Sequence, residues 1–240
     1  MKTKLLILLS LLTSSMHSQV NTVCKYQLLP ITKNYEITKA DDEVTKNTKK
    51  MLLEAFDIAQ DFDYILKFNK IESSFRIDES MINESLKSNF LYNIAKSLIG
   101  KGLYYQNREE KKMLHQKEVM GELFIIKDSL MNDWQIHGDS KKIGNYVCFR
   151  ATKKCKSCSS IEDVWFTPDI SAPFGPLGQG GLPGLIVEIR NKGSILRLVE
   201  IKYQKKTIKI EKPYKGKIIT INEYNKMVNR IRGNAKKMSN

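Results

Sequence analysis

The sequence predicts a mostly β protein of the α+β kind: an antiparallel sheet, sandwich or barrel accompanied by two or three helices. Two observations carry that reading. From Gly102 onward, short segments alternate apolar and polar side chains, the period-two pattern of strands with one buried face. Polar or glycine-bearing turns separate these segments at short intervals, as antiparallel neighbours require. Composition agrees. A chain of 240 residues can bury one sizeable core, and 41% hydrophobic with 28% charged residues describes a globular protein. The same figures exclude a disordered acidic chain, a collagen-like fibre and a polytopic membrane protein.

Along the chain, residues 24–29 read as a first strand stopped by Pro30, and 35–38 as a second short one. Asp41, Asp42 and Glu43 then precede Leu52, Phe56 and Ala59. That spacing, with acids at its start, predicts an amphipathic helix over 43–60. Residues 63–68 and 73–77 are apolar at every second position and form a hairpin pattern. Leu86, Phe90, Ile94 and Leu98 mark one face of a helix over 83–99, with Gly100 placed to end it. Nine strand-like runs follow, at 103–106, 112–119, 122–128, 133–136, 144–152, 161–167, 185–190, 194–203 and 206–211. Thr220 and Glu223 form a capping box for a last amphipathic segment over 220–232, and the basic tail around 230–240 is expected to be mobile.

The N-terminus carries Lys2 and Lys4, then an apolar run from Leu5 to Leu12, then Thr13-Ser14-Ser15. A charged start, a short apolar segment and small residues after it predict a signal peptide over 1–18 and a single exported domain over 19–240. The run is too short for the roughly 20 apolar residues of a membrane-spanning helix. Export makes Cys24, Cys148, Cys155 and Cys158 disulfide candidates, with three pairings open. Cys155-Lys156-Ser157-Cys158 lacks the strand-then-helix setting of a thioredoxin-like redox site. A zinc site would need Cys24 and Cys148 to complete a four-sulfur cage. Structural staples are the expectation, and a metal-handling or thiol protein is the alternative.

Motifs for catalysis are missing. The chain has no G-x-S-x-G elbow, no H-E-x-x-H, no Walker loop and no G-x-G-x-x-G. His115 and His137 lack partners at metal or triad spacing, and read as surface histidines. Adjacent acids such as Glu162-Asp163 point to opposite faces of a strand. No enzyme and no cofactor are expected. The unusual segment runs from Trp165 to Ile189. Pro168 ends a strand, and Pro183-Gly184 suits the central pair of a type II turn bracketed by Leu182, Leu185 and Ile186. It predicts a packed corner of the sheet, with Trp165, Phe166 and Phe174 as the candidate ligand-binding rim.

Gly181-Leu182-Pro183-Gly184-Leu185-Ile186 resembles the signature of the GLPGLI family of exported proteins of Bacteroidetes-type bacteria. Upstream blocks are similar as well: Leu123-Phe124-Ile125-Ile126-Lys127-Asp128, Trp134-Gln135-Ile136, Ile143-Gly144-Asn145-Tyr146-Val147-Cys148 and Trp165-Phe166-Thr167-Pro168. The resemblance covers about 102–203, and the Cys155–Cys158 stretch looks like a local addition. It implies an envelope location, periplasmic, outer-membrane or secreted, and a mostly antiparallel β fold. By analogy of shape, that fold is akin to the half-barrels that carry lipoproteins. It brings no activity and no catalytic residues.

The formal charge is +14, and Lys2 and Lys4 belong to the leader, which leaves +12 on the rest. Lys202, Lys205, Lys206, Lys209, Lys212, Lys215 and Lys217 alternate with apolar residues and read as the solvated face of a sheet. Nucleic acid is not an expected partner outside the cytoplasm; lipid, an envelope protein or peripheral contact with an anionic membrane is. The combined reading is a curved antiparallel sheet or half-barrel that binds an apolar or lipidic ligand or a partner's peptide.

Overall fold

The computed structural model describes residues 21–80, 89–130, 133–154 and 161–238. Alternation along β1 (Asn21–Pro30) turns Cys24, Tyr26 and Leu28 into the core and leaves Lys25 and Gln27 on the opposite face. A 3₁₀ turn over Thr32–Tyr35 follows, where a second short strand is expected at 35–38. The Tyr35 ring packs on Phe56 with centroids 5.2 Å apart, an anchor that a strand there does not require. Helix α1 (Glu43–Gln60) has the expected bounds. Asp42 caps it, accepting a hydrogen bond from the Thr45 amide at 2.6 Å, and Ala55, Phe56 and Ala59 are its buried stripe.

Strands β2 (Asp63–Phe68) and β3 (Glu72–Asp78) make the expected hairpin. Of the expected helix over 83–99, the described part is α2 (Phe90–Ser97), and Leu86 lies outside the described residues. Asn89 caps α2 through the Leu91 amide at 2.8 Å. Its buried residues are Tyr92 and Ala95, while Phe90 is 70% exposed, so the helix is rotated from the predicted face. Tyr92 sets that rotation by packing edge-on against Phe62 at 5.2 Å.

The strands after α2 are β4 (Leu103–Asn107), β5 (Lys112–Val119), β6 (Glu122–Ser129), β7 (Trp134–Ile143) and β8 (Tyr146–Lys153). They continue with β9 (Ile161–Thr167), β10 (Leu185–Asn191), β11 (Ser194–Gln204) and the short β12 (Lys217–Thr220). The described strands form one open sheet of twelve, in the order β12-β6-β5-β4-β3-β2-β1-β11-β10-β9-β8-β7. All neighbours are antiparallel except β12 with β6, which run parallel. The protein is mostly β with few helices, as its sequence predicts.

Helix α3 (Ile221–Met238) continues through the expected mobile tail. Its capping box is present: Thr220 accepts from the Glu223 amide at 3.2 Å, and Glu223 accepts from the Thr220 amide at 2.7 Å. No described helix is long and apolar enough to cross a membrane.

The expected strand at 206–211 is absent. Residues 205–216 instead lie across the face of the sheet opposite the main core, as a strap. There Tyr105, Leu114 and Ile125 form a second small cluster, and Ile210 packs on it. The Glu211 carboxylate turns inward to Lys67 at 3.6 Å and Arg76 at 3.1 Å, while its amide donates to Ser74 Oγ at 3.3 Å. Lys–Ile alternation here reflects a chain lying on a sheet, with one side buried and no ladder partner.

Candidate functional site

The segment 168–184 joins β9 to β10 and folds onto the main core. Ile170, Ala172, Phe174, Leu177 and Leu182 are all buried. Short backbone bonds shape it, among them Phe174 amide to Ala172 carbonyl at 2.8 Å and Gly181 amide to Pro173 carbonyl at 3.0 Å. At Pro183 the Gly184 amide reaches the Leu182 carbonyl at 2.8 Å, so the corner is a three-residue turn rather than the expected four-residue type II turn. The Leu185 amide bonds to Ile170 instead, at 3.1 Å. Gly184 has φ +154°, and a Cβ there would stand 2.0 Å from the Thr167 carbonyl oxygen. Glycine is required at this position because the backbone of β9 passes directly beside it.

Three strands hold the loop and the start of β10 by their carbonyls. Tyr26 of β1 donates to Ile186 at 2.6 Å, Gln106 of β4 to Gly178 at 2.7 Å, and Trp134 of β7 to Gly180 at 2.8 Å. The motif residues Leu182, Leu185 and Ile186 are buried, so the GLPGLI hexapeptide packs against the core.

The expected rim does not assemble. Phe166 and Phe174 are closed within the core, against Phe149 and Phe68 respectively. Trp165 points to the other face, as a neighbour of Phe166 in a strand must. There the Lys141 ammonium sits 4.1 Å above its ring and 2.7 Å from the Glu188 carboxylate. Glu188 is fully buried and also accepts from Arg197 at 2.7 Å. Trp165 is thus part of a charge cluster that ties edge strand β7 to β10 and β11.

Neither described cysteine forms a staple. Cys24 and Cys148 are free, buried thiols, and Cys155 and Cys158 lie outside the described residues. Burial pushes Cys24 up to about 12 and Cys148 up to about 11, so both stay protonated at neutral pH. No three His, Cys, Asp or Glu side chains among the described residues are grouped to hold a metal ion. His115 is not a surface histidine: its ring stacks on Tyr104 at 3.8 Å and bonds the Lys101 carbonyl at 2.8 Å. Burial pulls its pKa down to about 4 and keeps it neutral. His137 bonds Thr152 Oγ1 at 2.8 Å.

What does open to solvent beside the corner is a cleft of about 530 Å³ where the loop leaves β9. Phe68, Ile170, Pro173 and Tyr203 give it an apolar lining, and Lys70, Arg108, Asp169 and Ser171 give it polar groups. Local turns place the two cations. Asn69 accepts from the amides of Ile71 and Glu72 at 2.8 and 2.9 Å, which closes the β2–β3 turn carrying Lys70. Asn107 does the same for Glu109 and Glu110 after β4. Arg108 is then pinned by its amide to Ile71 at 2.9 Å and its guanidinium to the Lys70 carbonyl at 3.4 Å. None of Lys70, Arg108 and Asp169 is in an ion pair with another described residue. Two unpaired cations and one unpaired carboxylate around apolar walls suit a ligand with charged and apolar parts. Sequence reading missed these residues; the asparagines preceding each cation are the signal that marks the turns.

No family model matches the chain, and no curated protein matches it. Among solved structures it is similar to PNGF-II in the C2 and P21 crystal forms, with a TM-score of 0.51 in both and 15% and 16% identity. These matches cover 87% of this chain but 32% and 33% of PNGF-II, so the chain spans about a third of that protein's length. A likeness at this identity shows fold alone. An uncharacterized conserved protein from Thermus thermophilus aligns with a TM-score of 0.35 and 7% identity, over 84% of this chain and 91% of that one.

Proposed function

We propose that the chain is an exported, non-enzymatic binding module of GLPGLI type that engages a partner's peptide in the cleft of Lys70, Arg108 and Asp169. Export rests on the charged, apolar and small-residue order of residues 1–18. The bent form of the sheet is part of the reading. Its support is that Gln106 and Trp134 bond loop carbonyls only two residues apart, although β4 and β7 are eight strand steps apart. In a flat sheet, at about 4.8 Å per step, those strands would be roughly 38 Å from one another.

The concave side of such a sheet is taken by the protein's own loop, whose Phe174 and Leu182 are 1% and 2% exposed. A lipid carried inside therefore has less support than a ligand bound at the open cleft. The metal-handling alternative finds no support in the buried, protonated thiols of Cys24 and Cys148. The carrying observation is the cleft itself, with unpaired Lys70 and Arg108 on turns fixed by Asn69 and Asn107 and unpaired Asp169 just after β9. Selection of a random peptide display library on the purified protein tests it. The expected result is a consensus containing a carboxylate, enriched on the parent and lost on Arg108→Ala and Lys70→Ala. Absence of any consensus, or one indifferent to both variants, would contradict the proposal.

A further inference from the structure

The strap over 205–216 has one outward character. Lys205, Lys206, Lys209, Lys212 and Lys215 are all exposed, and Lys217 follows at the start of β12, also exposed. The one acid among them, Glu211, is drawn inward and neutralised by Lys67 and Arg76. The outer side is left with cations alone. Large apolar side chains stand exposed in the same region: Tyr214 at 81% and Ile218 at 58%. The β5–β6 turn beside the strap exposes Met120 at 83%, flanked by exposed Glu118 and Glu122, and so lies outside the cationic patch. Contacts hold this turn and the strap together, since Gln116 Nε2 donates to the Lys215 carbonyl at 2.7 Å and Ile218 pairs with Ile125 of β6. The strap is not loose on the sheet. Asn21 donates to the Lys206 carbonyl at 3.2 Å at one end, and Pro213 is buried near the other.

Exposed Tyr214 and Ile218 beside a strap whose outward charges are all cationic match the interface of a lipid bilayer with anionic headgroups. Lysines gain from the negative surface, and aromatic or aliphatic tips enter the headgroup layer. Solubility alone does not call for Tyr214 and Ile218 to stand uncovered beside the strap at such exposure. We propose that this strap, with Tyr214 and Ile218, docks the protein on an anionic membrane surface. Its site is separate from the Lys70–Arg108–Asp169 cleft and independent of what that cleft binds. Charge complementarity selects the occupant: the strap over 205–216 carries five exposed lysines and turns its single carboxylate away.

Sedimentation of the full chain with large vesicles tests this. The protein should pellet with phosphatidylcholine–phosphatidylglycerol vesicles at low salt and stay in solution with phosphatidylcholine alone. The triple change Lys206→Gln, Lys209→Gln, Lys215→Gln should lower partitioning by about a hundredfold, at roughly fivefold per lysine removed. The corresponding Lys→Arg triple should keep binding, which separates lost charge from lost fold. Tyr214→Ser with Ile218→Ser should also weaken vesicle binding several-fold while leaving binding to soluble dextran sulfate unchanged. Two results would overturn the proposal: no phosphatidylglycerol-dependent pelleting, or pelleting that the Tyr214→Ser, Ile218→Ser pair leaves intact. The second would make the ridge a general polyanion site rather than a bilayer contact.

Discussion

Two irregular segments cross the same sheet on opposite faces, and they share almost nothing else. The loop over 168–184 buries Ile170, Ala172, Phe174, Leu177 and Leu182 and accepts side-chain hydrogen bonds from two separate strands. The strap over 205–216 buries only Pro213 completely, keeps Ile208, Ile210 and Glu211 half-buried, and gives the rest of its length to water. Both have the irregular backbone usually assigned to surface connections. The first is part of the core in every energetic sense. Its Gly178 and Gly180 carbonyls are satisfied by Gln106 and Trp134, so burying its backbone leaves these groups paired. The second covers a small apolar cluster and otherwise presents charge. Side-chain composition decides the difference: proline, glycine and large apolar residues in one, alternating lysines in the other.

The sharpest break in this comparison comes from the corner. Gly184→Ala forces a Cβ to within 2.0 Å of the Thr167 carbonyl at a φ that disfavours side chains, and neither backbone can yield alone. A loss of about 4 kcal/mol or more in urea unfolding is expected. Truncation compares the two segments directly. Phe174→Ala should cost about 3–5 kcal/mol, and Ile210→Ala on the strap only about 1 kcal/mol, because one site is sealed and the other can rehydrate. Equal losses would erase the distinction.

Acid sensitivity sharpens it further. His115 is held neutral down to about 4 when folded, against an ordinary value of 6.5. Between those values the unfolded chain binds the extra proton, so stability falls as pH drops from 6.5 towards 4 and is fully present above 6.5. The expected loss is up to about 3 kcal/mol at the acid end. Urea midpoints of the parent and of His115→Phe across that range should converge as pH falls; parallel curves would contradict the assignment. Glu188→Gln should cost less, about 1–2 kcal/mol, because Lys141 and Arg197 have side chains 33% and 39% exposed and can turn to water. The strap triple Lys206→Gln, Lys209→Gln, Lys215→Gln should change stability by no more than about 0.5 kcal/mol.

Much of this architecture was legible in the order of residues. Where one face is buried and a neighbour pairs on each side, as in β2, β5 and β9, alternation located the strands to the residue. Alternation misled at 206–211, because a chain lying on a sheet also buries every second side chain. It reports one-sided burial, and a ladder partner has to be inferred separately. The α2 face was misread because Tyr92, not Phe90, finds an aromatic partner, and that partner, Phe62, lies far off in the sequence beyond the β2–β3 hairpin. Trp165 and Phe166 were grouped as one rim although strand neighbours point apart. The cleft was invisible because register alone unites Lys70, Arg108 and Asp169, which come from three different turns. The strap lysines were visible as charge, but not as a ridge cleared of acid.

The account stands on the loop over 168–184 being core and the strap being surface, and native-state hydrogen exchange measures that contrast most directly. The amides of Phe174, Gly181, Leu185 and Ile186, each bonded within the loop or to it, should exchange only with global unfolding. Those of Lys205, Thr207, Lys209 and Lys212 should exchange orders of magnitude faster. Early exchange of the four loop amides, at a free energy well below that of β1 and β10, would make the corner a mobile lid over an open interior and contradict the account.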